Sequence, residues 1–189
     1  NPGRHVYQLD TEWGMHSRGP EGEKADYVSR NANIFGVLHR AVRLIYYARE
    51  GILRGAAGWQ MLNHARAPGF GILEPRRPDA RFMLYWLYYH FSRHVGDGVV
   101  AFEGTAPWYL PPETVRDRGG IPGPLTPVLV TRDSRTGDLF VVIANGSWTQ
   151  AVPFELRLED FHAGGMESVC LSDDDPDRQT LLAEARRRM

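Results

Sequence analysis

YQLDTEWGMH, residues Tyr7–His16, runs as a strand and stops on an acid. Val6, Tyr7 and Leu9 give His5–Glu12 its β-propensity. Trp13 and Gly14 then break the run. A glutamate at the last position of a strand is either a surface residue opening a loop or a group held at a functional edge. The neighbouring segments decide between the two.

Working outward, residues 14–30 form a polar loop with Gly19, Pro20 and Gly22. Ile34, Val37, Leu38, Ala41, Val42, Ile45 and Ala48 then fall at helical spacing on one stripe, and Gly51 is a suitable stop. A second strand-like run, Ile52–Leu62, is small in its middle and ends in Trp59-Gln60-Met61-Leu62-Asn63. After a loop rich in Pro and Gly, Asp79 is a good N-cap for a helix over Ala80–His94. That helix is apolar nearly all round, which predicts burial between layers. The first half thus reads strand-helix-strand-helix, which implies a parallel sheet. Two buried parallel strands cannot stand without neighbours, so the remaining strands are expected from elsewhere in the same protein or from another chain.

From Gly96 the pattern changes. Val99–Phe102, Val128–Arg132, Leu139–Ala144, Ala151–Leu158 and Met166–Leu171 read as short strands. Asp133-Ser-Arg-Thr-Gly-Asp138 is a hairpin turn signal between two of them. Val152, Phe154, Leu156 and Leu158 alternate with polar residues, which predicts a half-buried antiparallel strand. The last dozen residues read as a short charged helix or a frayed tail. The domains expected are 1–95, an α/β portion, and 96–189, an antiparallel β unit.

Composition narrows the function classes. Of 189 residues, 42% are hydrophobic and 24% charged, near a globular average, and the net charge is −1. No nucleic-acid or anionic-membrane partner is implied. No run of 18 apolar residues predicts a membrane span, and no leader is visible in a chain that starts at Asn1, so a cytoplasmic setting is favoured. Cys170 is the only cysteine, so no disulfide within the chain and no Cys-based zinc site is available, and a small core role is expected for it. His90 and His94 have the spacing of a helical metal pair, but no third ligand accompanies them. Asp173, Asp174, Asp175 and Asp177 lack the glycine of a calcium loop and read as a solvated turn. No metal and no cofactor are expected.

The order of these features resembles the C-terminal part of a clan of retaining glycoside hydrolases built on (β/α)8 barrels. In that clan the nucleophile is a glutamate ending the seventh strand, often preceded by Thr or Ser and followed by an aromatic residue. Asp10-Thr11-Glu12-Trp13-Gly14 matches that pattern. Trp59-Gln60-Met61-Leu62-Asn63-His64-Ala65-Arg66-Ala67-Pro68 is similar to the A-Q-x-V-N-x-x-A-P motif after the eighth strand in family 51 α-L-arabinofuranosidases. That family also carries a C-terminal β-sandwich. The resemblance covers about residues 4 to 177. Trp59 immediately before Gln60, and His64, depart from the family pattern, which puts the sugar in doubt.

The resemblance implies the last two βα units of a barrel followed by an antiparallel β-sandwich, with the barrel incomplete in this chain alone. It implies Glu12 as nucleophile and Gln60 as a hydrogen-bonding group for sugar hydroxyls. Trp13 and Trp59 would be flat platforms for a sugar face, and His16 or an arginine would be the neighbour that keeps Glu12 ionised. The clan's acid/base follows an asparagine, and no Asn-Glu pair occurs here. The acid is therefore expected outside these residues. The partners expected are a carbohydrate substrate and the remainder of the barrel, with homo-oligomerisation left open. Two other readings stand beside this one: a non-catalytic carbohydrate-binding or accessory chain, and another clan member such as a β-xylosidase or endoglucanase.

Overall fold

The computed structural model describes residues 8–13, 33–51, 53–58, 61, 71–74, 77–104, 108–109, 123–147, 151–173, 181–182 and 187–188. They fall into two units, Asn1–His94 with His162–Met189, and Val95–Phe161.

The first unit opens with strand β1 (Gln8–Trp13), helix α1 (Ile34–Glu50) and strand β2 (Leu53–Gly58). Asn33 starts the helix: it is extended, and its Oδ1 accepts the Gly36 N–H at 3.2 Å, which satisfies one orphan donor of the first turn. Gly51 ends it in the left-handed region, φ 62°, where a side chain is disfavoured. Ile34, Val37, Ala41 and Ile45 form the buried stripe. Each large side chain so buried contributes about 1.5–3 kcal/mol. Along α1 a charged residue is buried as well, Arg40, with no exposed surface.

β1 and β2 are parallel neighbours, as a strand–helix–strand crossover allows. Their register is irregular twice. Leu9 pairs with Gly55 and Asp10 with Ala56, but the next partners are Trp13 and Gly58. Three steps on β1 therefore oppose two on β2, so β1 carries one extra residue between Asp10 and Trp13.

The same unit continues with β3 (Leu73–Glu74), β4 (Arg77–Phe82) and α2 (Met83–Arg93). Here the helix expected from Ala80 is corrected. Residues 77–82 form the middle strand of an antiparallel sheet, between β3 and β11 (Leu181–Leu182). Asp79 is not a cap; Phe82 occupies the N-cap, without a side-chain bond. Ladder pairing on both sides outweighs a local capping signal. Met83, Leu84, Trp86 and Leu87 are the buried face of α2, which packs against α1 and β4. The tail is corrected too: Leu181–Leu182 pairs with β4, and β12 (Arg187–Arg188) pairs with β10 (Ser168–Val169).

The second unit holds β5 (Gly98–Val99), β8 (Val128–Arg132) and β9 (Leu139–Ile143) in an antiparallel sheet ordered β5-β8-β9, and a small pair, β6 (Trp108–Tyr109) with β7 (Gly123–Pro124). Val128, Leu129, Val130 and Thr131 of the central strand are buried. The hairpin between β8 and β9 is the turn its sequence signals. Asp133 accepts N–H bonds from Arg135 at 2.8 Å and Thr136 at 3.2 Å, and Gly137 takes φ 81°. These bonds hold the Asp133 carboxyl below its usual range, the Arg135 N–H first.

The half-buried strand expected over 151–158 is corrected: the segment has no ladder, and Phe154, Leu156 and Leu158 are exposed. Alternation states which face a strand would bury; it does not supply the neighbour. Pro153 also removes a donor from any ladder. No helix among the described residues is long and apolar enough to cross a membrane.

Candidate functional site

The C-terminal end of β1 carries the candidate nucleophile. Glu12 and Trp13 are the last two residues of the strand, and Trp13 lies opposite Gly58, the last residue of β2. The next residue after Gly58 is Trp59, followed by Gln60. The two parallel strands thus finish level. The side chains of Glu12 and Trp13, and all of His16, Trp59 and Gln60, lie outside the described residues.

Two residues before Glu12, Asp10 is held from α1. The Tyr47 hydroxyl donates to its Oδ2 at 2.5 Å, and Arg43 Nη2 stands 3.7 Å from the same oxygen. Arg43 and Tyr47 are four residues apart, on one helix face, and the guanidinium lies 5.5 Å from the centre of the Tyr47 ring. Loss of water, and then the bond to Asp10, raise the Tyr47 phenol above its ordinary value. A donor bond to an ionised carboxylate at this length is of the strong, charge-assisted kind. β2 opposite is Gly55-Ala56-Ala57, small and exposed, and offers β1 little side-chain packing.

Behind this clamp the helix pair is aromatic and basic. Burial lowers the His39 imidazole to about 4, with help from the charges of Arg43 and Arg40. Arg40 lies beside Tyr88 of α2, whose phenol is raised chiefly by burial. Arg81 of β4 lies 4.6 Å from the centre of the Tyr85 ring on α2, and Arg93 of α2 lies 4.5 Å from that of Tyr89. His90 and His94 stack with centroids 5.6 Å apart. Among the described residues no three His, Cys, Asp or Glu side chains gather to hold a metal ion. Cys170, expected in a core, is exposed.

Sequence reading singled out Glu12 and its aromatic neighbours but passed over Asp10, Arg43 and Tyr47. A signal was present: aspartate is depleted within strands, so one inside β1 needs a partner to compensate it. The chain matches no protein family, no curated protein and no solved structure.

Proposed function

We propose that this chain is the nucleophile-bearing part of a retaining glycoside hydrolase, acting on α-L-arabinofuranosides or related glycosides. One observation carries the reading. β1 ends in Thr-Glu-Trp at the level where its parallel neighbour β2 ends, and in the sequence β2 is followed by Trp-Gln. In a parallel α/β barrel the active site lies at the C-terminal strand ends. A rim formed by these two strand ends would join an ionisable carboxylate, Glu12, to an apolar platform and an amide able to donate and accept, Trp59 and Gln60. The extra residue of β1 falls in the same stretch, and bulges are favoured at barrel rims and beside active sites.

The chemistry is a double displacement. The Glu12 carboxylate attacks the anomeric carbon while the bond to the leaving oxygen breaks and an acid gives that oxygen its proton. The same group, now a carboxylate, takes a proton from water. The water oxygen then attacks the anomeric carbon, and Glu12 is released. The two carboxyl groups of such a pair stand about 5–5.5 Å apart. The acid comes from the rest of the barrel, supplied by the same protein or by a partner chain, because no Asn-Glu pair is present here. Trp13 and Trp59 serve as sugar platforms, Gln60 binds hydroxyls, and His16 supports the ionised form of Glu12.

That missing pair also favours a second reading, a non-catalytic carbohydrate-binding or accessory chain on a barrel scaffold. Hydrolysis of an aryl α-L-arabinofuranoside by the whole protein, with and without Glu12→Gln, decides between them. Turnover abolished by the substitution is the expected result. Turnover that survives it removes Glu12 as nucleophile, and a parent protein that is inert but binds oligosaccharide supports the accessory reading. Parallel assays on aryl β-xylosides and on glucan separate the other clan activities.

A further inference from the structure

Asp10 is the last residue of β1 in regular register with β2; the extra residue follows at once, in the stretch that includes Glu12. A bulge lets the residues it spans shift against the neighbouring strand unless the strand is held on both sides of it; beyond it Trp13 pairs with Gly58. On the near side, the β2 residues opposite Asp10 are glycine and alanine and give it little side chain to pack against. What fixes it is polar. The Asp10 carboxylate is gripped by the Tyr47 hydroxyl at 2.5 Å and faces the Arg43 guanidinium at 3.7 Å, both from one face of α1.

Resting on the glycosidase reading above, we propose that Asp10 is a positioning residue. Its tie to Tyr47 and Arg43 clamps β1 just before the bulge and sets where the backbone at Glu12 stands. A nucleophile that must meet an anomeric carbon tolerates little displacement, since a 1 Å error can lower a rate about 100-fold. α1 thereby becomes part of the catalytic apparatus without touching the sugar.

The test uses the whole protein and an aryl α-L-arabinofuranoside, at a temperature well below unfolding, with the folded fraction checked by circular dichroism. Tyr47→Phe removes one oxygen and leaves the ring. We expect kcat per folded molecule to fall on the order of 10- to 100-fold with KM little changed, since only an interaction used in the transition state is disturbed. Asp10→Asn keeps an acceptor for Tyr47 and should retain more turnover than Asp10→Ala. If Glu12→Gln is inactive while Tyr47→Phe and Asp10→Ala turn over like the parent, the positioning role is wrong and the nucleophile stands. If Glu12→Gln turns over like the parent, the glycosidase reading itself fails and takes this inference with it. A loss confined to thermal stability, with kcat intact in both Tyr47→Phe and Asp10→Ala, also overturns it, because a merely structural bond would do only that.

Discussion

Asn33, His39 and Gly96 show how much a single position decides. Asn33 is almost wholly buried and bonds the Gly36 N–H, so Asn33→Ala leaves a buried donor of the first turn without its side-chain partner. Chemical denaturation of Asn33→Ala should show a loss of about 1–2 kcal/mol. His39 is neutral in the folded chain well below the ordinary histidine value, at about 4 against 6.5. Above pH 6.5 both states hold it neutral, and it adds no pH dependence. As pH falls from 6.5 towards 4 the unfolded chain takes the proton and the folded chain does not, so stability drops across that window and levels off below it. Thermal melts of the parent should fall over that range more steeply than those of His39→Asn. Gly96 sits where a Cβ would collide with the backbone of Arg132 and Asp133, which cannot move aside as a side-chain tip could. Gly96→Ala should therefore lose about 2–3 kcal/mol in a urea titration, at the upper end for overpacking.

The elements differ in how far they can be read locally. α1 was legible because its signals agree: an Asn cap, a stripe at helical spacing and a glycine stop, all within residues 33–51. The β8–β9 hairpin was legible for the same reason, since Asp133 and Gly137 make its turn from within. β4 was not, because one of its pairing partners is Leu181–Leu182, far along the chain, and nothing near Asp79 records that. The 151–158 segment erred in the other direction: its alternation is clear and its neighbour is absent among the described residues. That difference can be measured. Phe154→Ser and Leu156→Ser should each shift stability by less than about 0.5 kcal/mol, as exposed positions do. Truncation of a buried apolar residue would instead lose about 2–5 kcal/mol.

For the molecule as a whole, the candidate site was half legible. Glu12 could be picked out because an acid closes a strand, and Gln60 because an amide follows a second one. The level finish of β1 and β2 and the extra residue before Trp13 could not be foreseen, since register belongs to a pair of strands and not to either sequence. Asp10 was missed because its partner Tyr47 lies 37 residues away on the helix. If the proposed chemistry holds, incubating the whole protein with an arabinofuranosyl fluoride that carries a second fluorine on the ring, which slows hydrolysis of the glycosyl-enzyme while the fluoride leaving group lets it form, and digesting it should leave one glycosylated peptide, carrying Glu12. The adduct should be absent in Glu12→Gln.

The pairing of β4 with β11 also sets a timetable. Leu181 pairs with Phe82, so the outer strand of this sheet leaves the ribosome 99 residues after the one it covers. At roughly 5–20 residues per second, that edge waits about 5–20 s in nascent form. An open strand edge is a template for the wrong neighbour. During synthesis, the side of β4 that β11 will occupy is therefore the place where a chaperone would be of most use.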